Sequence, residues 1–337
     1  MSEAHRCHDL RLNRPVILKT LRGKEEQRRL ADEQKALMKL RSNHVVQLLD
    51  VVSISHQGHD IPCLVLEYIE GDDLSEGIFG IDDDYLGVLW QIAKGLDEIH
   101  REGIVHRDIK PNNVRRDKEG VIKIIDFGLS REVGLDNKTK ASIGYIPYMA
   151  PELLKAGEIE FSTEADVFAY GVLALAITNA GLPDWCRART PRDAPPDLVD
   201  KHLPVLDPNV RTILQRCVST LPSDRPKMSE VVASVEGVLL RDRHRARIVI
   251  GGKVSEIDSA HRTAKPTISS AGKPIAQLEI YYDGNSFVIQ SVIGSVLINN
   301  MSLAVGDTLP KSCVVAFKGG SNFYYATFDV SNPEYMI

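Results

Sequence analysis

The stretch IVHRDIKPNNV, residues 104–114, constrains this chain more than any other. His106-Arg107-Asp108 alone would be an unremarkable polar tripeptide. Here Lys110, Pro111 and Asn113 follow at fixed offsets, Asp126-Phe127-Gly128 comes next, and Ala150-Pro151-Glu152 begins 24 residues beyond Asp126. Between Asn113 and Asp126 the segment VRRDKEGVIKI reads as a strand, a turn over Asp117–Gly120 and a second strand, which brings Asn113 and Asp126 to one mouth.

Around this centre, the first 240 or so residues alternate strand-like and helix-like pieces. EEQRRLADEQKALMKL carries Leu30, Leu37, Met38 and Leu40 at helical spacings, and VLWQIAKGLDEIH lines one face with Leu89, Ile92, Leu96 and Ile99. VFAYGVLALAIT is apolar nearly all round and predicts a buried helix. Residues 182–208 read as a loop with short helices at most. RDRHRAR, residues 241–247, reads as a solvated helix end. Beyond it come short β-branched and aromatic runs punctuated by DGN, GD and GGSN, which predict an all-β domain over residues 247–337. The net charge of −5 gives no bulk attraction to nucleic acid. Five scattered cysteines with no paired spacing argue against a disulfide framework or a zinc site and fit a reducing, cytoplasmic setting. No apolar run is long enough to span a bilayer.

The side chains at the centre suit phosphoryl transfer. A carboxylate must orient the attacking hydroxyl, which suits Asp108, and a cation must offset charge on the transferring group, which suits Lys110. Divalent metal needs oxygen ligands, which Asn113 and Asp126 supply.

Together these motifs resemble the eukaryotic-type (Hanks-type) protein kinases. The resemblance implies an α+β, two-lobed kinase fold over residues 1–242, with an N-lobe over 1–69 and a C-lobe over 70–242. It implies ATP and Mg2+ as cofactors and protein substrates as partners. Asp108 would be the catalytic base, and Asn113 and Asp126 the magnesium ligands. Lys110 matches the Ser/Thr-specific form of the loop. Lys19, ending the apolar run Val16-Ile17-Leu18, would pair with ATP phosphates and with Glu33. Leu66 would be the gatekeeper, and Glu67 to Ile69 the hinge that hydrogen-bonds adenine. Arg107 would pair with a phosphorylated activation segment in which Thr139 and Ser142 are the candidate phosphosites. Glu152 would pair with Arg225, and Asp166 would hold the catalytic-loop backbone. The function implied is a Ser/Thr protein kinase that phosphorylates itself and other proteins.

Two departures stand out. No glycine-rich loop precedes Lys19, since the first glycine is Gly23. MSEAH reads as the second half of such a loop, so Met1 is expected to be an internal methionine of a longer reading frame and the N-lobe sheet is expected to be incomplete. The rival expectation is a pseudokinase scaffold that acts through protein–protein interaction. The second departure is Tyr145, which stands where the family has a threonine.

The last 90 or so residues resemble, more weakly, a forkhead-associated (FHA) domain, an eleven-stranded β-sandwich that binds phosphothreonine peptides. The likeness rests on RIVIGG, SVLINNMSLAVGDTL and FYYATFDV. Gly251-Gly252, Pro274, Gln277 and Gly294 occupy the places of the family's phosphate-binding residues, and none can replace the charge or hydrogen bond lost. The expectation is a docking or self-association module with no phosphopeptide site.

Overall fold

The computed structural model describes residues 2–21, 24–56, 59–132, 138–139, 146–154, 159–187 and 193–331. They fall into two compact units, Met1–Glu236 and Gly237–Met336.

The first unit begins with a hairpin of β1 (Ser2–Asp9) and β2 (Arg14–Leu21). Its turn is held by Asp9, whose Oδ1 accepts the N–H groups of Arg11 and Leu12 at 2.9 and 3.1 Å. After α1 (Lys24–Lys39) come β3 (Leu48–His56) and β4 (His59–Glu67), giving an antiparallel sheet of order β1-β2-β4-β3. On α1, Leu30, Glu33 and Leu37 recur one and two turns apart on the buried face. Met38, expected on that face, is 66% exposed, because it stands one position round the helix from Leu37.

The rest of this unit is mostly helical. After β5 (Gly71–Asp73), α2 (Asp83–Arg101) is capped by Asp82, whose Oδ1 accepts Tyr85 N–H at 3.0 Å. Its face of Leu89, Ile92, Leu96 and Ile99 is wholly buried, as the periodicity predicts. Then follow β6 (Ile104–Val105), the hairpin of β7 (Val114–Asp117) and β8 (Ile122–Ile124), and the short strands β9 (Arg131–Glu132), β10 (Lys138–Thr139) and β11 (Ile159–Glu160). In α3 (Thr163–Ala176) every residue from Ala165 to Ala176 is buried, as its all-round apolarity requires. Among the described residues of 182–207 the only helical pieces are the 3-10 turn Asp184–Arg187 and the five-residue α4 (Leu198–His202). The helices α5 (Pro208–Cys217) and α6 (Met228–Leu239) follow. No described helix is long and apolar enough to cross a membrane.

The second unit is all β. Its ten described strands are β12 (Arg245–Ile250), β13 (Lys253–Ile257), β14 (Thr263–Ala264), β15 (Thr267–Ser270), β16 (Lys273–Tyr282), β17 (Phe287–Ile293), β18 (Ser295–Ile298), β19 (Met301–Ser302), β20 (Ser312–Gly319) and β21 (Asn322–Ser331). They form a six-stranded sheet of order β13-β12-β21-β20-β18-β19 and a four-stranded sheet in which β16 pairs with β14, β15 and β17. Between the two lies a core that includes Ile248, Leu278, Tyr282, Phe287, Phe317 and Phe328. Tyr282 stacks on Phe287 at 4.7 Å and donates its hydroxyl to the Gly284 carbonyl at 2.6 Å, so its one polar atom is satisfied.

RDRHRAR is not a helix end. α6 stops at Leu239, residues 241–243 turn, and the strand begins at Arg245. The run alternates, with Arg245 and Arg247 outward and Ala246 and Ile248 in the core, which is a strand period and not a helical one. Gly251 and Gly252, both at positive φ, form the two-residue turn between β12 and β13, a conformation that glycine adopts without strain. Gly294, between β17 and β18, has φ +72°, and a Cβ there would run into the Ile275 carbonyl. Gly294→Ala is therefore expected to lower stability by about 2 kcal/mol, read as an earlier midpoint in urea denaturation.

Candidate active site

Four pieces of the first unit converge on one cleft. β2 delivers Lys19, paired in register with Ala4 and Leu64. α1 delivers Glu33, which is fully buried. The β7–β8 hairpin holds the other two pieces together, because Ile125 N–H donates to the Asn113 carbonyl at 2.9 Å just past the Val114–Ile124 pair. Asn113 therefore lies beside Asp126, as the strand-turn-strand pattern predicts.

Lys19 Nζ sits 2.6 Å from Glu33 Oε1 and 2.8 Å from Asp126 Oδ1. Its side chain is 8% exposed, that of Glu33 is not exposed at all, and that of Asp126 is half-exposed. Burial works against the ammonium charge, but Glu33 and then Asp126 outweigh it and raise the Lys19 pKa above its ordinary value. Burial pushes Glu33 up despite Lys19. For Asp126 burial is outweighed by the same ammonium, and its carboxyl stays below the ordinary value.

Across the cleft, Asp108 Oδ2 accepts from Lys110 Nζ at 2.7 Å and from Asn113 Nδ2 at 2.8 Å. Asn113 Nδ2 also reaches the Asp108 carbonyl at 2.7 Å. Both side-chain bonds use the amide nitrogen, and the side-chain oxygen Oδ1 of Asn113 accepts no hydrogen bond from the described residues. That oxygen and the second oxygen of the half-exposed Asp126 are hard donors on adjacent backbone, and they fit a magnesium ion.

The loop carrying Asp108 hangs from α3. Asp166, 1% exposed in the first turn of that helix, accepts His106 N–H at 2.7 Å, Arg107 N–H at 2.8 Å and His100 Nε2 at 3.1 Å. Burial raises its pKa, but His100 and the backbone donors hold it below the ordinary value. Arg107 takes a positive φ of +71°, a strain that these bonds sustain, and Asp126 takes +63°. Glu152 and Arg225 form the expected two-pronged pair, Nη1–Oε1 at 2.7 Å and Nη2–Oε2 at 2.8 Å.

The other expected positions are placed as follows. Leu66 is buried in β4 opposite Ile17. Glu67 spends its carboxylate on Gln47 N–H at 2.8 Å and Lys123 Nζ at 3.0 Å, and Ile69 is buried just beyond it. Arg107 stacks over Phe161 at 4.5 Å, and burial, followed by the nearby Arg131 charge, brings its pKa down to about 10. Thr139 is placed through its backbone alone, in β10 opposite Ile159. Its side chain, Ser142 and Tyr145 lie outside the described residues.

Three contributors were not read from the sequence. His106, fully buried, bonds the Ile125 carbonyl through Nε2 at 3.1 Å and packs on Phe127 at 4.7 Å, tying the two halves of the site. His100 supports Asp166. Asp32, beside Glu33, pairs with Arg131 at 3.0 Å. Adjacency to Asp108 and Glu33 was the signal available for His106 and Asp32.

Removing Lys19 would strand Glu33 as a lone buried carboxylate. Lys19→Met is expected to cost about 3 kcal/mol in urea denaturation, and Lys19→Met with Glu33→Gln to recover most of it. The pH dependence follows from the directions above. Asp126, depressed below 3.8, stabilises the fold above that pH and loses its contribution as pH falls through its folded value. Lys19, raised above 10.5, contributes below that pH and loses its share as pH rises through its own folded value. Both limbs of the stability profile should be shallower in Lys19→Met.

Comparison with known proteins agrees with this geometry. The family model described as "Protein kinase domain" matches residues 1–235. A probable leucine-rich repeat receptor-like serine/threonine-protein kinase of Arabidopsis thaliana is 32% identical over 259 residues, 66% of this chain and 24% of that protein. A probable serine/threonine-protein kinase of Streptomyces coelicolor is 31% identical over 196 residues, 54% of this chain and 29% of its own length. CDPK-related kinase 5 of Arabidopsis thaliana is 26% identical over 288 residues, 79% and 47% respectively. The chain thus spans between a quarter and a half of the length of these relatives. With the family model covering more than two-thirds of its residues, the chain belongs to the protein kinase domain family.

Proposed function

We propose that the chain is a protein-serine/threonine kinase that moves the terminal phosphoryl group of Mg-ATP to protein hydroxyls, its own among them. The observation that carries this reading is the pairing of two constellations in one cleft: Lys19–Glu33–Asp126 on one side and Asp108–Lys110–Asn113 on the other. Asp108 accepts the hydrogen bond of the incoming hydroxyl and orients it. Lys110, already on Asp108, offsets charge on the group in flight. Lys19 turns from Asp126 toward ATP phosphate oxygens while Glu33 keeps it in place. Magnesium, held by Asn113 and Asp126, would neutralise phosphate charge. Leu66 borders the adenine space, and the backbone from Glu67 to Ile69 edges it. Arg107 would receive a phosphate on Thr139 or Ser142. The names of the relatives support the Ser/Thr class.

The β unit is read as an FHA-like docking or self-association module. Its Gly251-Gly252 turn, Pro274, Gln277 and Gly294 offer no cation to a phosphate. A second reading is a pseudokinase scaffold, which would keep this fold and act through protein–protein contacts without moving a phosphoryl group.

Incubation of the chain with labelled Mg-ATP separates the two readings. Incorporation on serine or threonine is expected, and Asp108→Asn should lower it by about 10²- to 10⁴-fold while nucleotide binding persists. No incorporation by the unaltered chain, or equal incorporation by Asp108→Asn, would overturn the kinase reading. Titration of the chain with a phosphothreonine peptide library is expected to show no binding, and micromolar binding to any member would sink the degenerate-site reading.

A further inference from the structure

The two sheets of the β unit differ on their outward sides. The four-stranded sheet carries several paired polar groups outside, beside the exposed Ile293 opposite Gln277. Lys265 meets Glu279 at 2.8 Å, Ser291 donates to Glu279 at 2.8 Å and Thr267 to Gln277 at 3.1 Å. The outward rows of the six-stranded sheet carry Tyr325 at 61% exposure, Val254 at 57%, Phe323 at 45% and Val314 at 43%. The rings of Phe323 and Tyr325 stack at 6.4 Å. Val254, Val249, Thr327 and Val314 form one row across four strands, and Tyr325 beside Ala316 and Phe323 beside Lys318 begin the next two, so the apolar side chains share one region of the face with Thr327 and Lys318 among them. One row further along, the same face turns charged, with Glu256, Arg247 and Asp329 in alternation.

We propose that this face seats a second copy of the chain, sheet against sheet. The register supplies the argument. Arg247 and Asp329 are direct partners on the adjacent strands β12 and β21. A two-fold axis lying in the face, parallel to these strands and midway between them, carries each onto the other's place. Arg247 of one copy then meets Asp329 of the second, and the reverse contact forms on the other side of the axis. The same operation lays Val254 over Val314, because β13 and β20 flank β12 and β21 at equal remove. It lays Tyr325 beyond Ile250, over the Gly251-Gly252 turn, where no side chain stands in the way of the ring. Aligned packing of two twisted sheets at about 30° accepts this arrangement. Arg247 at present holds Glu256 at 2.9 Å, an exposed pair of little worth that can be exchanged at small cost.

This inference deepens the reading of the β unit as a self-association module. It does not depend on phosphoryl transfer, so its test contains no nucleotide. Sedimentation of the full chain across the micromolar range is expected to show a monomer–dimer equilibrium. Tyr325→Asp should weaken the dimer about tenfold or more. Arg247→Asp and Asp329→Arg should each weaken it by placing like charges opposite one another, and the two together should restore it. All four are exposed-face changes, and an unchanged thermal melt checks that the fold survives. A monomer throughout the range would overturn the proposal and leave the face to a different protein. A dimer indifferent to these substitutions, or a double variant that stays weak, would overturn it as well.

Discussion

The first unit is organised around one buried cation. Taking an ammonium group out of water costs several kcal/mol, and the cost is offset only where the geometry of its partners is close. Lys19 has two carboxylates within 2.8 Å, one on α1 and one just past β8. They are not equivalent. Glu33 has no exposed surface, whereas Asp126 is half-exposed and has a second oxygen to offer. A phosphate entering the cleft can therefore take Asp126's place on the lysine without stranding a buried charge. The Glu33 contact persists through that exchange and fixes α1 against the sheet. Position of the helix and readiness of the cation are thus one property.

A second anchor acts on the opposite wall. α3 is apolar nearly all round, so it is surrounded by protein and has little freedom to shift. Asp166 in its first turn uses both oxygens on the His106–Arg107 backbone, which transfers that rigidity to the loop bearing Asp108. The positive φ at Arg107 would relax if those bonds were lost. Arg225 and Glu152 tie the Ala-Pro-Glu segment to the same helix, since Arg225 Nη1 also reaches the Glu164 carbonyl at 2.9 Å. Asp108 and Lys110 sit on a loop, yet that loop is held by a helix that cannot move cheaply.

The parts of this arrangement that local chemistry dictates were legible in the sequence. The spacing from Asn113 to Asp126 encodes a hairpin, and the hairpin alone decides that the two meet. The burial of Leu89, Ile92, Leu96 and Ile99 follows from period. Glu33 could be picked from its neighbours because Leu37 stands four residues on, Leu40 seven, and Val45 opens the next apolar run, although Met38 shows that the same helical pattern can take in one residue too many. His106 and His100 were not legible. Their roles depend on which carbonyl or carboxylate the fold brings to the imidazole, and partners 19 and 66 residues away leave no local trace. RDRHRAR misled for a related reason. Composition suggested a solvated helix end, while from Arg245 onward the alternation Arg-Ala-Arg-Ile already carried the strand period.

The β unit shows the same physics with its charge removed. A phosphate is held by cations and by several N–H or O–H donors converging on it. At the positions where the resemblance locates that chemistry, Gly251 and Gly252 form a tight turn, Gln277 is engaged with Thr267, and Gly294 lies against the Ile275 backbone. Each is accounted for by the needs of the sandwich itself. The unit's spare surface lies instead on the outer side of its larger sheet, where aromatic and branched side chains replace the polar ones that water would favour. Recognition through such a face draws on buried area and shape, which tolerate loss of charged residues at the strand ends. A sandwich with no cation at those positions and an apolar sheet face is suited to a surface matched by another surface and not to a charge read at a loop.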